Sequence, residues 1–124
     1  MNQIEHVMGQ SVWAVVGATP RQEKFGYKIF RRLLDCGKIV YPIHPFTKEI
    51  DGVACYQSLD DLPERPQVVN IVVGAAAGKR ALEACARMGI PTVWLQPGAD
   101  DAEVVEYAEK LGLKVIRDCV LTRF

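Results

Sequence analysis

Five short apolar runs alternate with helical patterns along the chain, and this alternation limits the fold more than any other feature. The runs cover residues 12–17, 39–43, 68–73, 92–95 and 113–116, and helical patterns cover 26–35, 75–88 and 100–111. Runs that are apolar at nearly every position are typical of strands buried on both faces of a parallel sheet. Glycines stop the three helices at Gly37, Gly89 and Gly112. The sequence therefore predicts an α/β fold, with a doubly wound parallel five-stranded sheet in three α/β/α layers.

The predicted elements fit one domain that spans residues 1–124. A chain of 124 residues can bury one sizeable core but has little room for a second. Residues 1–10 form a lead-in, with a short helix expected there, and residues 117–124 form a tail. The segment 46–67 is less regular, and its Asp51-Gly52 pair indicates a turn.

Composition excludes several classes of protein. The 15 basic and 15 acidic residues balance, which argues against a nucleic-acid-binding surface. No apolar run approaches the roughly 18 residues of a membrane span, and the N-terminus does not resemble a signal peptide. We therefore expect a cytoplasmic protein. The four cysteines make no C-x-x-C pair, so we expect reduced thiols and no metal site.

The first strand ends in a turn that is typical of anion-binding sites. The apolar run stops at Gly17-Ala18-Thr19-Pro20, and a helical pattern begins by Gly26. Helix N-termini present unpaired N–H groups and the positive end of the helix dipole. Ligands of parallel α/β sheets bind beyond the carboxyl ends of the strands. The sequence therefore predicts a site for a phosphate-bearing ligand there.

Two common nucleotide motifs are absent. Gly17 opens no G-x-G-x-x-G pattern, and the second strand ends in His44-Pro45 instead of the carboxylate that would hold the ribose of NAD. No G-x-x-x-x-G-K-[ST] loop is present either. An ordinary NAD site and nucleoside triphosphate hydrolysis are therefore disfavoured.

Five segments carry a family resemblance. They are Val15-Val-Gly-Ala-Thr19, Lys24-Phe-Gly-Tyr27, Val40-Tyr-Pro-Ile-His-Pro45, Ile50-Asp-Gly52 and Trp94-Leu-Gln-Pro-Gly98. In this order and spacing, they closely resemble the coenzyme A-binding domain family, whose fold is similar to the N-terminal domain of the succinyl-CoA synthetase alpha subunit. The resemblance implies a Rossmann-like fold and a coenzyme A or acyl-CoA ligand.

The resemblance also implies which residues contact the ligand. Gly17, Ala18 and Thr19 would hold the pyrophosphate, and Gly26 would permit its close approach. The remaining matched positions are Lys24, Phe25, Pro42, His44, Pro45, Gly74, Ala75, Gln96, Pro97 and Gly98. His44 replaces an Asn that is frequent in the family.

Charge and thiol chemistry add further candidates. The phosphates of coenzyme A need cations, for which Arg21, Lys24 and Lys48 are the candidates near the strand ends. Cys119 follows the last strand, and one hypothesis places it near the thiol end of coenzyme A, where it can form a mixed disulfide by exchange with coenzyme A disulfide.

No catalytic constellation accompanies these residues, so we expect a binding protein without catalysis of its own. The alternative is an enzyme or enzyme subunit that uses NADP or another nucleotide. The acyl group, the protein partners and a homodimer stay open.

Overall fold

The computed structural model describes residues 3–124; the first two residues of the predicted lead-in lie outside the described residues. In chain order the elements are α1 (Gln3–Met8), β1 (Val12–Val16), α2 (Phe25–Asp35), β2 (Ile39–Ile43), β3 (Glu49–Ile50), β4 (Val53–Ala54), β5 (Val68–Ile71), α3 (Ala75–Met88), β6 (Thr92–Leu95), α4 (Ala102–Lys110), β7 (Lys114–Arg117) and α5 (Val120–Arg123). A 3₁₀ turn at Leu59–Asp61 follows β4.

Five parallel strands form the main sheet in the order β2-β1-β5-β6-β7. The chain leaves β1 toward one edge of the sheet, to β2, and leaves β5 toward the other edge, to β6. The strand order therefore reverses between β1 and β5, where doubly wound sheets bind their ligands. The predicted Rossmann-like parallel sheet of five strands is confirmed.

Apolar side chains pack on both faces of the sheet. Trp13, Val15 and Val68 face α2 and α5, together with the fully buried Ile29 and Phe30 of α2. Ala14, Val69 and Ile71 face the other layer, which α3 and α4 cover. Because each strand buries both faces, the strands read as apolar runs rather than as alternating patterns.

The third predicted strand is shorter than expected. The apolar run 68–73 predicts six strand residues, but β5 ends at Ile71. Val72 still donates its N–H to the carbonyl of Val16 at 3.1 Å. The chain leaves the sheet at Val72 and Val73, so both side chains lie at the carboxyl ends of the strands.

The Asp51-Gly52 turn closes a two-stranded hairpin. β3 and β4 pair antiparallel, and Asp51 and Gly52 both adopt positive φ, at 50° and 80°. Tyr56 extends the edge of the main sheet, because its N–H binds the carbonyl of Pro42 and its carbonyl accepts the N–H of His44. The hairpin therefore lies beside the carboxyl end of β2.

The predicted tail is folded. Residues 117–124 contain the end of β7 and the helix α5. The Phe124 ring packs against Trp13 and Trp94, with ring centroids 5.6 and 5.9 Å apart. The sequence pattern missed this helix because its four residues are too few to show a period.

The helices of residues 3–124 include none with the length and apolar composition that a membrane span requires.

Candidate functional site

A cleft of about 740 Å³ opens at the carboxyl ends of β1, β2 and β5. It lies where the strand order reverses. The turn after β1 forms one wall, and the end of β2 forms another. The lining residues are Gly17, Thr19, Pro20, Arg21, Lys24, Phe25, Gly26, His44, Pro45, Thr47, Val72 and Val73. The lining therefore contains two permanent cations and no carboxylate.

Two glycines hold the β1–α2 connection close to the sheet. Gly17 has a φ of +105°, and a Cβ on it would lie 2.7 and 2.9 Å from side-chain carbons of Val73 and Val72. A Cβ on Gly26 would lie 2.1 Å from the carbonyl oxygen of Gly17. Gly26 therefore lets α2 approach the turn after β1. Gly26 also lines the cleft, so the close approach of a ligand to it stays a prediction.

The N-terminus of α2 is open to an anion. Lys24 stands at the N-cap without a side-chain hydrogen bond to the helix, and the first turn contains no acidic residue. The first amides of a helix have no partner within the helix. The Thr19 hydroxyl oxygen accepts the N–H of Arg21 at 3.3 Å, which leaves its own O–H free to donate toward the cleft.

The cations of the cleft are uncommitted. Arg21 and Lys24 are exposed, and their side chains make no ion pair or hydrogen bond with another described residue. By contrast, Arg31, Arg87 and Arg123 each pair with an aspartate. The cleft therefore presents unneutralised positive charge to a ligand.

His44 is oriented by the turn that follows β2. Its Nδ1 accepts the N–H groups of Phe46 and Thr47, both at 3.1 Å. An imidazole nitrogen that accepts two N–H groups carries no proton, so in the neutral ring the proton is on Nε2. His44 can therefore donate a hydrogen bond into the cleft through Nε2.

The hairpin fixes the orientation of α2. The Tyr27 hydroxyl donates to Asp51 at 2.7 Å, and Arg31 binds the same carboxylate at 3.3 Å. The hydrogen bond that Tyr27 donates to Asp51 is the main cause of the raised pKa of Tyr27. Asp51, which the sequence indicated only as a turn residue, thus links the hairpin to the helix that borders the cleft.

The structure places the other predicted site residues outside the cleft lining. Ala18 and Pro42 are buried, so their side chains are not available to a ligand. Lys48 lies at the base of the hairpin, where its carbonyl accepts the N–H of Cys55. The rest follow the ends of β5, β6 and β7: Gly74 and the first α3 residue, Ala75, come after β5, Gln96, Pro97 and Gly98 after β6, and Cys119 after β7.

Gln96 serves the interior of the protein. Only 3% of it is exposed. Its Oε1 accepts Nδ2 of Asn70 at 3.1 Å and the N–H of Val120 at 2.9 Å, and its Nε2 donates to Sγ of Cys119 at 3.5 Å. Gln96 therefore ties β5 and α5 together, and a ligand contact at this position stays a prediction.

Four lining residues were not predicted, namely Pro20, Thr47, Val72 and Val73. Pro20 was identified only as part of a turn, and Val72 and Val73 were assigned to a strand. Val72 and Val73 were missed because the sequence did not show that β5 ends at Ile71. Gly74 was the available signal, because a strand that leads into the N-cap of a helix must first leave the sheet.

A parallel sheet with an open helix N-terminus and free cations at its carboxyl edge is typical of α/β domains that bind phosphate-bearing ligands. The chain belongs to the CoA binding domain family, whose model matches residues 11–124. The expected family is thus confirmed.

Proteins similar to this chain include parts of CoA ligases. It is 32% identical over 123 residues to the ADP-forming acetate–CoA ligase I of Archaeoglobus fulgidus, covering 91% of this chain and 18% of that protein. It is 30% identical over 114 residues to the alpha subunit of the ADP-forming acetate–CoA ligase II of Pyrococcus furiosus, covering 83% of this chain and 25% of that subunit. The chain thus spans a quarter or less of these curated relatives.

A similar solved structure is a hypothetical protein from Pyrococcus horikoshii OT3. The two chains superpose with a TM-score of 0.89 at 28% sequence identity, covering 96% of this chain and 85% of that one. The fold of this chain is therefore also found in a protein of nearly the same length.

Proposed function

We propose that the protein binds coenzyme A or an acyl-CoA in the cleft at the carboxyl ends of β1, β2 and β5. One observation carries the proposal. In a chain of the CoA binding domain family, this cleft combines two uncommitted cations with an open helix N-terminus and no carboxylate. Coenzyme A carries a pyrophosphate and a further phosphate on its ribose, and such groups need both features.

Each part of the cleft has a role in this proposal. The first amides of α2 and the Thr19 hydroxyl donate to the pyrophosphate. Arg21 and Lys24 neutralise phosphate charge, and Nε2 of His44 donates to a further oxygen of the ligand. The exposed ring of Phe25, which is 63% exposed, provides an apolar surface beside the charged groups.

The proposal assigns no catalysis to the chain itself. Besides Lys24 and His44, the nucleophile-type side chains of the cleft lining are the hydroxyls of Thr19 and Thr47. Neither has a carboxylate among the lining residues, and Nδ1 of His44 is already occupied by two N–H groups. A hydroxyl nucleophile is commonly activated by an adjacent base, so the lining favours binding over chemistry.

Ligand-dependent unfolding tests the proposal. Coenzyme A, acetyl-CoA, NAD and NADP are each added while the thermal unfolding of the protein is followed. At about 100 times its dissociation constant, a ligand adds about 2.7 kcal/mol of stability. We expect this gain with coenzyme A or acetyl-CoA. Stabilisation by NADP with none by coenzyme A would overturn the proposal in favour of a nucleotide-dependent enzyme.

Charge substitutions locate the site. We expect Arg21→Gln and Lys24→Gln each to weaken coenzyme A binding about tenfold, which corresponds to one charge-assisted hydrogen bond of about 1.4 kcal/mol. The loss should shrink as salt is raised, because salt screens exposed charges. Isothermal titration measures both effects. Lys110→Gln, an exposed position on α4, is the control; an equal loss there would contradict the assignment.

A further inference from the structure

A second cavity lies at the amino ends of the strands, opposite the cleft at their carboxyl ends. It measures about 390 Å³ and is lined by His6, Val7, Gln10, Arg65, Pro66, Gln67, Pro91, Thr92 and Lys114. We call it the amino-edge pocket, because it lies where β5, β6 and β7 begin. The family resemblance assigns no role to any of its residues.

Backbone pairing brings the walls of the amino-edge pocket together. Thr92 pairs with Val68 on one side and with Lys114 on the other. The N–H of Lys114 binds the carbonyl of Pro91 at 2.9 Å. Gln67, which directly precedes β5, therefore lies beside Thr92 and Lys114, the first residues of β6 and β7, along one wall.

The shape of the amino-edge pocket is largely fixed. The side-chain oxygen of Gln67 accepts the N–H groups of Ser11 and Val12 at 2.9 and 3.0 Å. Pro66 and Pro91 restrict the backbone on either side. Val7 and Thr92 are 1% and 6% exposed. A ligand would therefore enter a preformed cavity and would have to order few side chains.

The charge of the amino-edge pocket is positive and unneutralised. Its lining includes Arg65 and Lys114 and no carboxylate. The guanidinium of Arg65 makes one long hydrogen bond, of 3.4 Å, to the carbonyl of Met88. In the part of the chain that the structure describes, neither Arg65 nor Lys114 pairs with an acid.

Cations without an acidic partner line both cavities, whereas others, such as Lys48 and Lys110, are simply exposed. Arg31, Lys79, Arg87, Arg117 and Arg123 pair with acids. Arg32, Lys38 and, at 3.4 Å, Arg65 donate to backbone carbonyls. Arg21 and Lys24 line the cleft, whereas Arg65 and Lys114 line the amino-edge pocket. In a chain with equal numbers of acids and bases, two preformed cavities that are lined by cations without acids favour anionic occupants.

We propose that the amino-edge pocket binds a small molecule that carries an oxyanion group, either a carboxylate or a phosphate, between Arg65 and Lys114. The apolar walls of Val7, Pro66 and Pro91 accommodate the rest of the molecule. This ligand would bind independently of coenzyme A, because the two cavities lie at opposite ends of the strands.

Nuclear magnetic resonance tests the proposal with two probes, inorganic phosphate and citrate. Each is titrated into the isotope-labelled protein while the backbone amide signals are followed. We expect saturable shifts of the amides of Arg65, Gln67, Thr92 and Lys114 with at least one probe. A comparison of the two affinities shows whether the pocket prefers a phosphate or a carboxylate. Coenzyme A, titrated separately, reports on the amides of Gly17 and Thr19, so failure of one site is distinguishable from failure of the other.

Substitutions then decide whether the cations hold the anion. We expect Arg65→Gln and Lys114→Gln each to weaken probe binding about tenfold, and the double variant to lose it. The control pair, Arg80→Gln and Lys110→Gln, removes the same charge at exposed helix positions and should leave the affinity unchanged. Amide dispersion of each variant verifies folding, and Lys114→Gln alone serves if the double variant unfolds. The proposal is overturned by shifts confined to residues 17–26, by no saturable shift, or by undiminished binding in the double variant.

Discussion

Gly17 and Gly26 contact each other through the main chain. A substitution at Gly26 therefore tests the packing of the protein and not only the binding of a ligand. The carbonyl oxygen of Gly17 occupies the space that a Cβ on Gly26 would need. The Gly17 oxygen belongs to the main chain, and a Cβ is fixed to the main chain of residue 26. Neither atom can therefore rotate away as the end of a flexible side chain would. The pair therefore sets how closely α2 packs on the end of β1.

We predict that Gly26→Ala lowers the free energy of unfolding by about 3 kcal/mol, at the upper end of typical costs for overpacking. Urea unfolding measures the change. Gly74→Ala is the matched control, because a Cβ there meets no atom within 4 Å and φ is −67°. We expect the control to cost less than about 1 kcal/mol, that is, only the preference of N-cap positions for Gly over Ala. Equal losses in the two variants would contradict the proposed contact.

Residue types at the cleft could be predicted from the sequence, whereas their contacts could not. Arg21 and Lys24 follow from the need of phosphates for cations near a strand end. The role of Gly26 depends on a main-chain oxygen nine residues earlier, which no local pattern records. The interior contacts of Gln96 were missed for the same reason, because its partners Asn70 and Val120 are distant in the sequence.

At the scale of elements, α5 closes one side of the protein. Its following residue, Phe124, contacts the fully buried Trp13 and Trp94. Arg32 of α2 binds the carbonyls of Leu121 and Phe124 at 3.0 and 2.8 Å. Phe124 therefore packs on both tryptophans, and Arg32 of α2 binds the carbonyls at the end of α5.

We predict that Phe124→Ala destabilises the protein by about 2 kcal/mol, less than for a fully buried Phe because the ring is only partly buried. The emission of the two tryptophans should shift to longer wavelength as water reaches them. Phe46→Ala is the control, because 88% of Phe46 is exposed; it should change stability by less than about 0.5 kcal/mol. Unchanged emission in Phe124→Ala would show that α5 does not shield the rings.

Asp118 makes the attachment of α5 sensitive to acid. Its carboxylate accepts the N–H of Cys119 and Nε of Arg123, both at 2.8 Å. The Cys119 N–H is the larger cause, ahead of Arg123, of a pKa below the ordinary value of 3.8. A depressed pKa means that the carboxylate stabilises the folded state above pH 3.8. This stabilisation is lost as the pH falls through the lower, folded-state value.

We therefore predict that Asp118→Asn lowers the free energy of unfolding near neutral pH, and that its difference from the unsubstituted protein disappears in acid. Urea unfolding at a series of pH values measures the difference. Glu106→Gln removes an exposed carboxylate in the middle of α4 that pairs with no described cation, so it is the control for loss of charge alone. A difference that stays constant with pH would rule out the depressed pKa as the cause.

At the scale of the whole molecule, the fold was predictable because it depends on pattern rather than on particular contacts. Apolar runs stopped by turn residues are enough to indicate a parallel sheet, even though β5 ends two residues early. The order of the strands then places the cleft at the carboxyl edge. The amino-edge pocket has no such signal, because its cations come from positions 65 and 114, which only the register of the sheet brings together.

The buried thiol of Cys85 reports on the whole molecule. Burial excludes water from it and raises its pKa to about 12, so we expect it to react with an alkylating reagent only when the core opens. A ligand that binds only the folded state lowers the open population by a factor of 1 + [L]/Kd. Labelling of Cys85 should therefore slow about a hundredfold when acetyl-CoA is present at about 100 times its dissociation constant. Acetyl-CoA is chosen because its sulfur is blocked and does not consume the reagent.

Mass spectrometry of the Cys85 peptide follows this reaction, and the exposed Cys36 provides the internal control. Cys36 should react quickly and at the same rate with and without acetyl-CoA, since its reaction needs no opening of the core. A rate at Cys85 that is insensitive to acetyl-CoA but accelerates with urea would show global opening without ligand binding, against the proposed function. A rate insensitive to both would show that local motion exposes Cys85, against the rigid packing of α3 on the sheet.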